Sequence, residues 1–316
     1  MRIKDKLTHL NEIRDPERMD LLMRTIKAVH SATTSETFQS TEELNRQRAE
    51  IERFCKLVSV ISSVSTSSFE VDGTPCEWVS SSVPHRKDKI IMYCHGGGYT
   101  CGGLGYARIL ASKLAYQTGM DVVSFEYRLA PEHPYPAPLE DAMKVWNHLM
   151  YLGYGAGDVI VAGDSAGGNM SLELCLMLKD AGRLLPKALV LFSPWTDMRA
   201  TSPSYKNYAE KDPLLTYNYV LSVRNAYAGE GADFSLPQYS PLLGDLSNLP
   251  PTLIQVGSNE ILRSDSELLA KYMTKAGSFA KLETYQGGWH VFQQMPFSKA
   301  SQAMANVAEF IDTIIR

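Results

Sequence analysis

Residues 158–178 read Asp158-Val159-Ile160-Val161-Ala162-Gly163-Asp164-Ser165-Ala166-Gly167-Gly168-Asn169-Met170-Ser171-Leu172-Glu173-Leu174-Cys175-Leu176-Met177-Leu178. The β-branched run Val159–Val161 predicts a buried strand. The stretch 169–178, apolar on most sides, predicts a buried helix, with Gly182 as its C-terminal stop. Between them stands Gly163-Asp164-Ser165-Ala166-Gly167, a G-x-S-x-G pentapeptide. On a sharp strand-to-helix turn this pattern is a nucleophile elbow: small residues flank a serine whose hydroxyl is lifted clear of the backbone, beside the positive end of a helix dipole. Chance alone produces the pentapeptide in roughly one chain in ten of this length, so the flanking strand and helix carry the inference.

Working outward, strand and helix patterns alternate. Strands are expected at 89–94, 121–126, 188–192, 252–256 and 281–285, and helices at 106–117 (stopping at Gly119), 139–151 and 298–315. Such alternation implies a mostly parallel sheet covered on both faces. Residues 58–84 read as two strands around Asp72-Gly73, a hairpin signal. Residues 1–60 read as helical: Met19, Leu22, Met23, Ile26 and Val29 recur at helical spacing, as packing surface or as pocket lining. Ser40 with Glu43 reads as a capping box. From 196 to 249 the alternation stops and Pro, Tyr and Asn become frequent, with one helix expected at about 217–227. An insertion of this length within an α/β domain reads as a lid or binding element.

The chain has 316 residues, 44% of them apolar, enough for a large core. A net charge of −4 argues against nucleic acid or anionic membrane partners. The charged start Met1-Arg-Ile-Lys-Asp-Lys6 lacks the apolar region of a signal peptide, and no apolar run reaches membrane-spanning length. Five scattered cysteines lack metal-ligand spacing and fit a reduced, cytoplasmic protein. Neither metal nor cofactor is expected, and a homodimer is left open.

A serine nucleophile needs a base. Of the seven histidines, only His290 follows Ser165, as the chain order for this elbow requires. It lies in Gly287-Gly288-Trp289-His290-Val291-Phe292, after the last expected strand. For the acid, Glu260 just beyond the 252–256 strand is the first candidate. Asp265, read as a charge at a helix start, comes next, and Asp197 reads as a turn or cap residue. His95-Gly96-Gly97-Gly98 follows another strand. Glycines there let backbone N–H groups approach an oxyanion, and loops of this type serve so in lipases and esterases. Gly102-Gly103-Leu104-Gly105 nearby could suggest a phosphate loop, but no Lys-Ser/Thr follows. His95 reads as a prop for the loop.

Four motifs carry a resemblance: His95-Gly-Gly-Gly-Tyr99, Tyr127-Arg-Leu-Ala-Pro-Glu-His133, Gly163-Asp-Ser-Ala-Gly-Gly168 and Gly288-Trp-His290-Val-Phe292. With Ser193-Pro194-Trp195 and Ser240-Pro-Leu-Leu-Gly244, the chain resembles the hormone-sensitive-lipase-like esterases over about residues 60–316. The resemblance implies the α/β-hydrolase fold, with a mostly parallel central sheet, helices on both faces and a helical cap formed by residues 1–55 and an insertion at about 196–235. It implies ester hydrolysis by Ser165, His290 and Glu260 through an acyl-enzyme, on small esters with short acyl chains. Oxyanion donors would be the N–H groups of Gly97, Gly98 and Ala166. Where the family usually carries Asp-Pro-Leu-Arg-Asp, this chain has Glu260-Ile-Leu-Arg-Ser264, similar to members that use Glu. An amidase or deacetylase with the same residues remains a rival. So does a non-catalytic receptor of the kind seen in the plant gibberellin receptors, although these lack the base that His290 would supply.

Overall fold

The computed structural model describes residues 41–57, 63–82, 86–229 and 231–315. The apolar stripe Met19–Val29, Ser40 and three histidines (His9, His30, His85) lie outside the described residues. In chain order the elements are α1 (Thr41–Leu57), β1 (Val64–Val71), β2 (Thr74–Ser81), β3 (Arg86–Cys94), α2 (Leu104–Thr118), β4 (Met120–Phe125), α3 (Ala137–Tyr151), β5 (Val159–Asp164), α4 (Ala166–Asp180), β6 (Ala188–Phe192), α5 (Ser204–Asn207), α6 (Tyr217–Ala228), β7 (Thr252–Gly257), α7 (Arg263–Lys275), β8 (Ala280–Tyr285) and α8 (Ser298–Ile315). Single 3-10 turns occupy 156–158, 241–243 and 292–294.

The strands form an eight-stranded sheet in the order β1-β2-β4-β3-β5-β6-β7-β8. β2 pairs antiparallel with both β1 and β4, and every pairing from β4 to β8 is parallel. Asp72 (φ 46°) and Gly73 (φ 80°) join β1 to β2. Positive φ at both turn residues matches the twist of the two strands, so the Asp-Gly pair reads correctly as a hairpin.

The central strands are buried on both sides, and their alternation sorts residues between two layers. Ile90, Met92 and Cys94 of β3 join Val159 and Val161 of β5 in one core, under α3 and α4. Ile91 and Tyr93 join Ile160 and Ala162 in the other, under α2 and α8. Each fully buried aliphatic side chain contributes about 1.5–3 kcal/mol. A one-residue slip would exchange the two layers, so the register is strongly specified. Helix ends follow local chemistry. Gly119 closes α2 in the left-handed region (φ 63°). Gly182 (φ 63°) closes α4, its N–H donating to Lys179 O while that of Arg183 donates to Leu178 O, a Schellman arrangement.

β3 sends the chain to one side of the sheet and β5 to the other, because β4 and β6 lie on opposite flanks of that pair. Loops leaving the C-terminal ends of two such strands diverge and leave a crevice, the usual ligand site of an open parallel sheet. The loops that open here carry His95–Gly98 and Ser165.

Candidate active site

Ser165 sits between β5 and α4 with φ 53° and ψ −119°. A non-glycine residue rarely adopts such a backbone, and it persists only where the surroundings impose it. Here the glycines do so. A Cβ on Gly163 would overlap the Gly167 carbonyl, and one on Gly167 would overlap the Cys94 carbonyl of β3. The turn is therefore as tight as backbone contact allows, and the start of α4 is packed against the end of β3. The first turn of α4 includes Ala166-Gly167-Gly168, three residues ahead of the helix start expected from sequence. Glycine's poor helix propensity is overridden by this packing.

The glycine loop is pinned to the elbow by Asp164. Its fully buried carboxylate accepts from Gly96 N–H (2.8 Å), Tyr93 OH (2.5 Å) and Tyr106 OH (2.7 Å). Burial raises its pKa, against the opposing pull of these three donors. His95 lies beneath the loop, stacked on Tyr127 with ring centroids 4.1 Å apart, and its Nδ1–H donates to Gly96 O at 2.7 Å. Burial pulls its pKa down to about 4, against the opposing bond to Gly96. It is thus neutral at physiological pH, and a prop as the sequence suggests. Tyr127 OH donates to His95 O at 2.9 Å, which gives the Tyr127 motif its role under the same loop. Among the described residues, the N–H groups of Gly97, Gly98 and Ala166 have no hydrogen-bond acceptor.

His290 is 6% exposed. Its Nδ1 lies 2.8 Å from Glu260 Oε2. Glu260 is fully buried, and its other oxygen accepts from Gly257 N–H (2.6 Å) and Ser193 Oγ (2.9 Å). Ser193 Oγ in turn accepts from Val291 N–H at 3.2 Å. Its neighbours hold the nucleophile turn: Ser165 N–H donates to Phe192 O, and Trp195 N–H donates to Ser165 O, each at 3.0 Å. The β6–α5 loop thus ties Ser165, Glu260 and the His290 loop into one hydrogen-bonded scaffold. For the imidazole, burial lowers the pKa, but the Glu260 bond and the charges of Glu260, Asp212 and Asp164 outweigh it. The net shift is upward. Glu260 acting as acceptor for Nδ1–H leaves Nε2 with its lone pair, the tautomer a general base needs.

Asp265 is elsewhere. It is fully buried in the first turn of α7, and its Oδ2 accepts from Thr196 N–H and Asp197 N–H, both at 3.0 Å. Burial and the nearby Asp197 push its pKa well above the usual carboxylate range. Asp265 does stand in the first turn of α7, as the sequence reading has it, but as a buried acceptor that anchors the loop after β6 rather than as an exposed helix-end charge. Asp197 accepts from Arg199 in a turn and pairs with its guanidinium at 2.8 Å, consistent with its reading as a turn residue.

Two other segments pack on the glycine loop. Tyr99 (φ 61°) stacks on Tyr227 of α6 at 3.8 Å and donates to Asn169 Oδ1 at 2.7 Å. Val223 of α6 abuts Gly98, where an added Cβ would lie 3.0 Å from its side chain. From α1, Arg48 donates to Thr100 O (2.8 Å) and Ala130 O (3.0 Å), and forms a bidentate pair with Glu132, both bonds 2.8 Å. Asp164, Ser193 and Arg48 escaped the sequence reading. Asp164 and Ser193 stood inside quoted motifs as polar residues ending buried strands, which was a usable signal; Arg48 offered none. Among the described residues, no group of three or more His, Cys, Asp or Glu side chains is arranged to hold a metal ion, and no helix is long and apolar enough to cross a membrane.

Comparison with known proteins adds four findings. Residues 91–294 match a family described as alpha/beta hydrolase fold. The chain is 34% identical to an esterase of Acinetobacter venetianus over 85% of its own length and 89% of the relative's. It is 37% identical to an acetyl-hydrolase of Streptomyces hygroscopicus over 68% of this chain and 71% of that one. In three dimensions it is similar to the crystal structure of an esterase from the bacterial hormone-sensitive lipase family, with a TM-score of 0.87 at 33% identity, covering 96% of this chain and 100% of the other.

Proposed function

Because the chain belongs to the α/β-hydrolase family, among the hormone-sensitive-lipase-like esterases, and is a carboxylesterase, we propose that it cleaves its ester through an acyl-enzyme on Ser165. The buried 2.8 Å contact between His290 Nδ1 and Glu260 carries this reading. Ser165 Oγ attacks the ester carbonyl carbon, and His290 Nε2 takes the hydroxyl proton. Glu260 holds the imidazole in the Nδ1–H tautomer and stabilises the imidazolium. Negative charge gathers on the former carbonyl oxygen, where the N–H groups of Gly97, Gly98 and Ala166 donate to it, helped by the N-terminal dipole of α4. Collapse of the tetrahedral intermediate breaks the bond to the alkoxy oxygen, which receives the proton from His290. Water then repeats the sequence in reverse and frees the acid and Ser165.

We read α6 and α1 as a cap over this site, with short acyl chains as substrates. Val223 against Gly98 and the Tyr99–Tyr227 stack leave little room above the glycine loop. A panel of p-nitrophenyl esters from acetate to decanoate, with a matching anilide, tests the reading. Activity is expected to peak at acetate or butyrate, with the anilide far slower. Val223→Ala is expected to raise the decanoate-to-butyrate ratio of kcat/KM about tenfold, the scale on which pocket space discriminates methylenes. A wild-type peak at decanoate, or an anilide cleaved as fast as the ester, would overturn the assignment. The five cysteines are all free and buried, in keeping with a cytoplasmic location.

The oxyanion role is separately testable. Gly97 has φ 112°, and a Cβ there would overlap the Cys101 carbonyl. Gly97→Ala must displace the loop, and losing one oxyanion donor costs about 10²–10³ in kcat. The same strain lowers thermal stability, so kcat is compared in protein shown by circular dichroism to be folded. A kcat within a few-fold of wild type would mean that the loop is only structural.

A further inference from the structure

Asp212 lies in the insertion between β6 and β7, among residues with no motif to mark them. It is 1% exposed. Its Oδ1 accepts from Leu214 N–H (2.9 Å) and Leu215 N–H (3.0 Å), and its Oδ2 from Ile261 N–H (2.9 Å). Ile261 directly follows Glu260, so this bond holds the peptide plane joining the two. The carbonyl of Ile261 is also gripped from the insertion, by Ser204 Oγ donating at 2.5 Å. Ser204 exchanges further bonds with Ser264, accepting from its N–H at 3.1 Å and donating its own N–H to Ser264 Oγ at 3.3 Å. The segment that packs Val223 onto Gly98 therefore also clamps both sides of the residue next to Glu260.

We propose that Asp212 is a positioning residue through which the insertion sets the placement of Glu260 and the proton affinity of His290. This rests on reading Glu260 and His290 as acid and base. A glutamate reaches its histidine through three rotatable side-chain bonds. Pinning its carboxylate at Gly257 and Ser193 fixes one end, and pinning the Glu260–Ile261 peptide fixes the other. The charge acts in parallel. His290 is faced by Glu260 from the β7–α7 loop, by Asp212 from the insertion and by Asp164 from the end of β5. Asp212 is faced by His290 and Glu260, and the described residues show no Lys or Arg paired with it. A second buried carboxylate whose charge reaches the imidazole favours the imidazolium formed during acyl transfer. Burial pushes the Asp212 carboxyl up to about 6, against the pull of His290 and its N–H donors. It is ionised at neutral pH and loses its charge on mild acidification.

The test compares Asp212→Asn and Asp212→Glu with wild type. Asp212→Asn removes the charge and can satisfy only one side of the clamp. Misplacement of a catalytic group is costly, so kcat at mildly alkaline pH is expected to fall about tenfold with KM within about twofold. Removing a charge that faces the base should move the acid limb of kcat/KM down by about one pH unit. Asp212→Glu keeps the charge and should keep the limb. A folded Asp212→Asn enzyme with an unmoved limb is a structural clasp only, and overturns the proposal. If that variant does not fold, the wild type decides: the proton resonance of His290 Nδ1–H is expected to show a second step near pH 6, apart from the imidazole's own titration. A single titration overturns the proposal. The triad reading fails separately, by a Glu260→Gln enzyme of normal kcat.

Discussion

Ser165→Ala is expected to lower kcat by about 10⁶-fold, the scale measured when the serine of another hydrolase is removed. Alanine leaves the elbow without a nucleophile, yet changes little else. The φ of 53° is imposed by the packing of Gly163 and Gly167, and alanine occupies it at a cost close to that of serine. The N–H groups of Gly97, Gly98 and Ala166 remain, so about 10³–10⁴-fold acceleration over water is expected to survive. A burst assay with p-nitrophenyl acetate and labelling by a fluorophosphonate provide the measurement. Wild type should show one burst equivalent and one label per chain, and the variant neither. Turnover by the variant within about 10² of wild type would remove Ser165 from the chemistry.

Glu260→Gln is expected to cost about 10⁴ in kcat, and the reason lies in its hydrogen bonds. Gly257 N–H can only donate, at 2.6 Å, to one carboxylate oxygen. A glutamine must turn its carbonyl oxygen there, which aims its NH₂ at His290 Nδ1. The imidazole then has to accept at Nδ1 and carry its proton on Nε2, where it cannot take one from Ser165. Asp265→Asn is the control. Burial and the nearby Asp197 already disfavour its charged form, and an asparagine oxygen can accept the same two N–H groups from Thr196 and Asp197. Its kcat should stay within about threefold of wild type, since no group facing His290 changes. If instead Asp265→Asn is crippled and Glu260→Gln is normal, the acid has been misassigned.

The sheet was legible because its central strands are buried on both faces and leave unbroken apolar runs; Val159–Val161 and Ala188–Phe192 are examples. Helix ends were legible where a glycine closes them, as at Gly119 and Gly182. The first turn of α4 was not, because Ala166-Gly167-Gly168 has poor helix propensity and is held by contact with β3. Nor were α5 and the 3-10 turns, which are too short to show a period. For the site, chain order singled out His290. Sequence ranked Glu260 ahead of Asp265 although both follow the same strand, and the structure agrees with that order in bonding Glu260, not Asp265, to His290. Ser193 and Asp212 act by bonding to backbone N–H groups far along the chain, and such contacts leave no spacing to read.

Four non-glycine residues around the crevice hold left-handed backbone: Tyr99, Ser165, Ser193 and Val291, the last a β-branched residue at φ 50°. Each such conformation costs on the order of 1–3 kcal/mol, a large share of a typical folding free energy of about 5–15 kcal/mol. Directed evolution for heat tolerance alone would find glycine at these positions rewarding. At Ser193 and Ser165 it would delete the hydroxyls on which the hydrogen-bonded scaffold and the proposed chemistry depend. At Val291 it would relax the stretch that presents His290. A thermostability screen without an activity screen should therefore yield hardier and slower descendants, with their substitutions gathered at this crevice.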